Sequence, residues 1–185
     1  KLFAANGYAG TSIAMIGQAG GMSKALLYHY YPDKEALLFD LLSAHLGELL
    51  AVSEQALAAT PEPAGRLMAL SVALLEAYRD ADATHQVQIS SLKLLSETRQ
   101  EQLRDLERQL VARFSSAIAE ALPEIGTGPL LKPVTMSLFG MLNWHYLWFR
   151  EGRGLSRKAY ATLAAQMVIS GAPAAIKAAQ KANRA

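Results

Sequence analysis

Lys24, Tyr28 and His29 are hydrogen-bond donors in one short segment of the chain, and Lys34 follows close behind them. Ammonium, hydroxyl and imidazole N–H groups can all donate to phosphate oxygens, and a lysine can also reach the acceptors on a guanine edge. Lys24 and Tyr28 are one helical turn apart, so a helix would present both on the same side. These side chains therefore favour recognition of a polyanion over the making or breaking of bonds.

Catalytic and metal-binding patterns are missing from the sequence. The four histidines are scattered without ligand spacing, and the chain has no cysteine. It contains no HExxH pattern, GxSxG nucleophile motif or phosphate-binding P-loop. The segment Gly152-Arg153-Gly154 lacks the third glycine of a dinucleotide fingerprint. We therefore expect no enzymatic activity, no cofactor and no metal site, and the lack of cysteine excludes disulfides and thiol chemistry.

The donors lie in a segment with the pattern of two short helices joined by a glycine turn. Thr11 and Ser12 are candidate N-caps for a helix over residues 13–19, and Ser23 is a candidate N-cap for a helix over residues 24–31. Gly20-Gly21 permits a sharp turn between them, because glycine adopts positive φ at little cost. This spacing is typical of a helix-turn-helix, whose second helix enters the major groove of DNA.

The rest of the chain predicts helices and almost no strand. Apolar residues recur with helical spacing between breaks rich in Pro and Gly, and Asp33 is a candidate N-cap for a further helix. Residues 132–150 are apolar on nearly every side, and residues 156–177 carry small residues at helical spacing. A helix that is apolar all round must be covered all round. We expect these two helices to be half of a four-helix dimer interface, with a buried hairpin of a monomer as the alternative.

The predicted fold is all-α, with two domains. An N-terminal three-helix helix-turn-helix domain would span residues 1–47, and a six-helix bundle for ligand binding and dimerisation would span residues 48–185. Because the sequence begins with Lys1 inside a helical pattern, we expect a leading segment before it. The most apolar stretch, residues 130–149, contains Lys132 and Pro133 and therefore favours a buried helix over a membrane span. We expect a cytoplasmic protein with no membrane partner.

The charge balance allows a second class of function. The net charge is +2, and the first 47 residues hold three lysines against three acidic residues. DNA-binding domains usually have a basic footprint, so a helical dimeric adaptor that does not bind DNA is the alternative. Exposure of Lys24, Tyr28, His29 and Lys34 on one face would favour DNA binding, and their burial would favour the adaptor.

The segment from Leu2 to Leu38 resembles the DNA-binding domain of the tetracycline-repressor (TetR) family of transcriptional regulators. The matching elements are Gly7-Tyr8, Thr11-Ser12, Gly21-Met22-Ser23-Lys24, Leu27-Tyr28-His29-Tyr30 and Lys34-Glu35-Ala36-Leu37-Leu38. The resemblance implies an all-helical homodimer that binds a double-stranded DNA operator and releases it when a small molecule enters the C-terminal bundle. It also implies DNA contacts from Ser12, Lys24, Ala25, Leu26, Tyr28, His29, Tyr30 and Lys34.

Three positions depart from the family pattern. Gly17 and Gly20 stand where the family often has alanine, and glycine inside a helix costs roughly 0.5–1 kcal/mol relative to alanine. We therefore expect a soft second helix. Leu26 stands where many members carry a small or hydroxyl residue, and it could contact a thymine methyl group.

The segment from Asn143 to Phe149, NWHYLWF, resembles family members that respond to acyl-CoA thioesters. Trp144 and Trp148 are four residues apart and would share a helical face that could line an apolar pocket, while Asn143 could bond a thioester carbonyl or amide. We therefore predict that Asn143, Trp144 and Trp148 bind a small apolar effector, with acyl-CoA as the candidate class. In the alternative, these aromatic residues pack the core and the subunit interface.

Overall fold

The computed structural model describes residues 1–182 of the chain, with side chains as far as residue 178. Within this range the fold is all-helical, as predicted, and has no strand. The helices are α1 (Leu2–Asn6), α2 (Ile13–Gly20), α3 (Lys24–Tyr30), α4 (Lys34–Ala58), α5 (Pro63–Ala77), α6 (Asp82–Ser91), α7 (Glu97–Ala121), α8 (Leu131–Asn143) and α9 (Arg157–Ala182). Two short 3-10 turns, Leu92–Leu94 and His145–Leu147, follow α6 and α8.

Polar side chains begin the N-terminal helices as the sequence predicted. Ser12 and Ser23 each accept a hydrogen bond on Oγ from the backbone N–H three residues later, at 3.2 and 3.1 Å. Asp33 does the same for α4, at 2.6 Å. Each bond satisfies one of the backbone donors that a helix N-terminus leaves free. Helix α2 ends at Gly20 and is capped by Gly21, whose φ of +65° is left-handed and turns the chain towards α3.

The chain divides into two compact units. The first comprises Lys1–Glu48 and Asp80–Glu107, and the second comprises Leu49–Arg79 and the chain from Arg108 onward. Helices α4 and α7 contribute residues to both units. The first unit thus joins the helix-turn-helix to α6 and the start of α7. The functional boundary between residues 47 and 48 stays a prediction.

Leucines of α4 form the centre of the first unit. Leu38, Leu42 and Leu46 follow one another at intervals of one turn, and each is at most 1% exposed. Burying a leucine side chain contributes roughly 2 kcal/mol. Helices α4 and α9 are long and apolar enough to cross a membrane by length and composition alone. The buried stripe accounts for this property of α4, which is a core helix.

Two histidines lie together in the core of the first unit. His45 on α4 and His85 on α6 are 5% and 2% exposed, and their ring centroids are 6.2 Å apart. Burial, with an added contribution from the nearby His85, lowers the pKa of His45 from 6.5 to about 4. The folded protein therefore holds the imidazole of His45 neutral well below the pH at which it would become charged in the unfolded chain.

We expect acid to destabilise the protein through His45. The unfolded chain takes up a proton on this residue below pH 6.5 and the folded chain does so only near pH 4. The stabilisation is thus complete above pH 6.5 and is lost as the pH falls, by about 2 kcal/mol at pH 5. Urea denaturation of the wild type and of His45→Gln at pH 7 and pH 5 measures this loss. A pH dependence as steep in the variant as in the wild type would contradict it.

In the second unit, α9 packs along α5 and against α8. The contacting face of α9 is made of small side chains, and Ala161, Ala164 and Ala165 are fully buried. Small residues let the backbones of two helices approach closely, so contact is made without large side chains. The rings of Phe114 on α7 and Phe139 on α8 are both buried and lie 4.8 Å apart.

The predicted single helix over residues 132–150 is wrong at its end, because α8 stops at Asn143 and a 3-10 turn follows. His145 in that turn is fully buried, and its Nε2 lies 2.8 Å from Nη1 of Arg157. A guanidinium can only donate, so this nitrogen accepts and the ring proton is on Nδ1. The apolar periodicity of the sequence gives no sign of this buried polar contact, so it could not predict where α8 ends. As a result, Trp144 and Trp148 do not share an α-helical face.

Candidate nucleic-acid interface

Helix α3 keeps one side chain in the core and presents the others to solvent. Leu27 is 2% exposed, whereas Leu26, Tyr28 and Tyr30 are 43%, 46% and 67% exposed. The remaining predicted contact residues of α2 and α3 are also exposed, namely Ser12, Lys24, Ala25 and His29. A helix held by a single buried anchor leaves nearly its whole surface for a partner. The arrangement suits a helix that enters a groove.

Gly17 explains how α2 and α3 come close enough to form the motif. A Cβ at this position would lie 2.7 Å from the backbone oxygen of Met22 and 3.2 Å from Cδ1 of Leu27. The first distance is shorter than van der Waals contact, and a backbone atom cannot move aside cheaply. The sequence predicted that Gly17 lowers the stability of α2. In the structure, the lack of a side chain at Gly17 leaves room for the backbone of Met22 in the turn and for the Leu27 side chain of α3.

Aromatic contacts order the exposed donors of α3. The ammonium of Lys24 lies 5.7 Å from the ring centroid of Tyr28, within the range of a cation–π interaction. The rings of His29 and Tyr30 meet edge to face at 5.2 Å. Such contacts restrict side chains that would otherwise be free, which lowers the entropy cost of ordering them on a ligand.

Lys34 is half-buried and has two structural partners. Its Nζ donates to the backbone oxygens of Tyr8 and Thr11, at 2.7 and 2.9 Å, and lies 4.2 Å from the centroid of the Tyr8 ring. An ammonium has three hydrogens, so one remains for a phosphate. The lysine therefore ties the loop before α2 to the start of α4. Its predicted DNA contact stays a prediction.

The start of α4 is also bound to the start of α7, within the first unit. Glu35 accepts a hydrogen bond from the backbone N–H of Ser96 at 2.8 Å and pairs with Arg99 at 3.1 Å. The bond from Ser96 is the main cause that lowers the pKa of Glu35 below its usual value, and Arg99 adds to it. Arg99 also lies 3.8 Å from Asp33. Sequence reasoning missed this link because nothing in the periodicity joins residues so far apart.

The three predicted effector residues occupy different environments. Oδ1 of Asn143 accepts a hydrogen bond from the Tyr78 hydroxyl at 3.0 Å, so this amide holds α8 to the end of α5. Trp144 and Trp148 are 50% and 56% exposed, and the ring of Trp148 meets that of Tyr160 edge to face at 4.8 Å. Their assignment to ligand binding stays a prediction.

Two family models match the chain. The model described as "Bacterial regulatory proteins, tetR family" matches residues 1–41, and the model described as "Tetracyclin repressor-like, C-terminal domain" matches residues 60–172. The first match covers α1 to α3 and the beginning of α4, and the second covers the helices from α5 to most of α9. A comparison with curated protein sequences gave no match.

Several solved structures are similar. A TetR-family transcriptional regulator from Bordetella parapertussis is 34% identical, with a TM-score of 0.85 over 92% of this chain and 89% of its own. The regulator PfmR from Thermus thermophilus is 23% identical, with a TM-score of 0.80 over 92% and 93% of the two chains. AibR, solved with isovaleryl coenzyme A and operator DNA, is 24% identical, with a TM-score of 0.73 over 90% and 91%.

Proposed function

The chain belongs to the TetR family of transcriptional regulators, and on that premise we propose that it is a repressor that binds a pseudo-palindromic operator as a homodimer and releases it for a small effector. Members of this family are ligand-responsive transcription factors rather than enzymes. They carry a DNA-binding helix-turn-helix at the N-terminus and a ligand-binding domain at the C-terminus. A regulator of this kind acts where the DNA is, so we place it in the cytoplasm.

The observation that carries the proposal is the set of exposed hydrogen-bond donors on α3. Ser23 caps this helix, and aromatic contacts restrict its donor side chains. Lys24, Tyr28 and His29 reach solvent together from a helix anchored only by Leu27. We assign α3 to the major groove, with Lys24 on a base edge or phosphate and with Tyr28 and His29 on phosphates. The exposure of these three donors favours the repressor over a dimeric adaptor, whereas Lys34, the fourth donor of that test, is half-buried.

The balanced charge of the first 47 residues is compatible with DNA binding. Their acidic groups beside α3 include Asp33 and Glu35, and both lie within ion-pair distance of Arg99. This arginine lies outside those residues and brings a positive charge to the first unit. Pairing reduces the negative field that an approaching phosphate meets. The interface therefore relies on a few placed donors more than on a broad basic surface.

Two unpartnered stripes support the homodimer. Met136 and Gly140 lie one turn apart on α8, and Leu163, Met167 and Gly171 follow one another by single turns on α9. Met136, Leu163 and Met167 are 44–57% exposed. Among the described residues, no atom outside the helix itself lies within 4 Å of where a side chain at Gly140 or Gly171 would begin. Large apolar residues beside open glycines suit close packing against a second copy. We propose that these stripes of two subunits form the four-helix interface.

We expect Met167→Asp to convert the dimer into a monomer. An unpaired carboxylate in the centre of an apolar interface should raise the dimer dissociation constant at least about a hundredfold. Light scattering coupled to size exclusion, at micromolar protein, gives the mass directly. Ile89→Asp is the matched control, because Ile89 on α6 is 45% exposed and lies outside the stripes. Equal masses for wild type and Met167→Asp, or dissociation by the control as well, would contradict this interface.

The effector is a small and mostly apolar molecule in this proposal, and acyl-CoA thioesters are the first class to test. AibR, the relative of similar fold, was solved with isovaleryl coenzyme A. Operator fragments from beside the protein's own gene should be titrated with and without a panel of acyl-CoA thioesters. Coupling is reciprocal, so an acyl-CoA that weakens operator binding tenfold must itself be bound about tenfold more weakly by the operator complex. Operator binding that no thioester disturbs would reject this effector class and leave the DNA-binding assignment standing.

A further inference from the structure

An open cavity of about 580 Å³ lies in the second unit, between the end of α4, the start of α5 and α7. Leu57, Ala112 and Ala117 provide apolar parts of its wall, and Arg66 and Arg113 lie in the same wall. Its volume is within the usual range for small-molecule sites, which are mostly apolar with a few placed polar groups. We name it the Arg113 cavity. It contains none of the three effector residues suggested by the sequence.

The two arginines of the cavity differ in how far protein groups already satisfy them. Arg66 donates to the backbone oxygens of Thr60 and Pro61, at 3.2 and 3.0 Å, and pairs with Glu120 at 2.9 Å. Its charge is thus neutralised at close range, and its donors point to three different partners. A ligand would have to break a good ion pair to bind it.

Arg113 is held in place but is poorly neutralised. Its Nη1 donates to the backbone oxygen of Leu50 and, at 2.5 Å, to Oγ of Ser53. The nearest carboxylate with which it pairs is Glu54, 3.7 Å from Nη2, and the Glu54 side chain is 77% exposed. An ion pair that is this long and this exposed contributes little. Arg113 can therefore exchange its partner for a better-placed anion.

We propose that the Arg113 cavity binds an amphipathic anion, with its apolar chain against Leu57 and the alanines of α7 and its anionic head on Arg113. A guanidinium positioned by two hydrogen bonds is preorganised for such a head, which could be a carboxylate or a phosphate. The site itself stands on its geometry. Its regulatory consequence rests on the proposed function.

That consequence follows from the partners of Arg113. By donating to Leu50 and Ser53, this residue of α7 ties α7 to α4 within the second unit. Helix α4 is continuous from Lys34 to Ala58 and begins directly after the helix-turn-helix. A head group that draws Arg113 away weakens this tie. Occupation of the cavity would therefore change the position of α4. The position of α3, the helix assigned to the major groove, depends on α4.

Calorimetric titration of the full chain with octanoate and with octanoyl-CoA tests the site without DNA. We expect at least one of the two to bind, and Arg113→Met to weaken that binding at least about tenfold. Glu54→Gln should tighten it about threefold or more, because the variant removes a competing carboxylate. Arg104→Met is the matched control, since Arg104 lies on the same helix outside the cavity and its loss should leave binding unchanged.

The outcomes distinguish a carboxylate from a phosphate as the bound anion, and they distinguish failure of the site from failure of the proposed function. Binding of octanoate would show that the anionic head is a free carboxylate. Binding of octanoyl-CoA alone would show that the anionic head is a phosphate of coenzyme A. No binding of either probe, or binding that Arg113→Met and Glu54→Gln both leave unchanged, would overturn the site. If Arg113→Met fails to fold, the tightening by Glu54→Gln decides. Binding as expected by a protein that recognises no DNA would support the site and refute the repressor.

Discussion

Replacing Lys24 with glutamate is expected to weaken operator binding about a hundredfold, equivalent to about 3 kcal/mol. The change removes a donor from the exposed end of α3 and sets a negative charge against the phosphates. It should not unfold α3, because an acidic residue in the first turn of a helix interacts favourably with the helix dipole. Fluorescence anisotropy with a labelled operator, at one fixed salt concentration, measures the loss.

Lys93→Glu is the control for this effect. Lys93 is an exposed residue of the 3-10 turn after α6, in the same compact unit, and its reversal changes the net charge by the same amount. We expect less than about a threefold loss of affinity, because Lys93 lies outside α3 and the effect of an exposed charge without a direct phosphate contact is screened by salt. Equal losses for the two variants would mean that only overall charge matters. An unchanged affinity of Lys24→Glu would remove α3 from the interface.

Replacing His145 with leucine is expected to lower the free energy of unfolding by about 3 kcal/mol at pH 7.5. Arg157 is 5% exposed, and Nε2 of His145 accepts a 2.8 Å hydrogen bond from it. Arg157 also pairs with Glu151 at 3.4 Å, where the Glu151 side chain is 56% exposed, and lies 4.8 Å from the centroid of the Phe149 ring. Leucine fills the space but removes the acceptor that His145 offers to Nη1 of this buried guanidinium. Urea denaturation gives the difference.

His145→Gln distinguishes loss of the acceptor from loss of the ring. Glutamine offers a carbonyl oxygen to Arg157, so it should recover at least half of the stability that leucine loses. Tyr78→Phe removes the 3.0 Å bond to Asn143 and should cost about 1 kcal/mol. If leucine and glutamine were equally destabilising, ring packing rather than the buried charge would account for the effect.

The helix-turn-helix was predictable because its signals are local. Ser12, Ser23 and Asp33 each cap a helix within three residues of themselves, and Gly21 supplies the positive φ that ends α2. Short-range chemistry of this kind is present in the sequence itself.

The features that were not predictable depend on contacts between distant residues. The pairing of Arg99 with Glu35 and the placing of α6 beside the N-terminal helices need the tertiary fold. The end of α8 depends on the buried contact between His145 and Arg157. Apolar periodicity alone predicts that the helix continues through this segment. The hydrogen bonds from Lys34 to two backbone oxygens were missed for a related reason. The sequence shows a positive charge near a helix start but not the distant backbone that it contacts.

Binding of the complete protein to DNA from beside its own gene, measured over a range of salt concentrations, tests the central claim most directly. A repressor of this design should select one short pseudo-palindrome with two half-sites about one helical turn apart, or a multiple of it. Two subunits should bind it, and the affinity should fall steeply with salt as phosphate contacts release counterions. Failure to prefer any fragment over random DNA at physiological salt would contradict the claim and favour the dimeric adaptor.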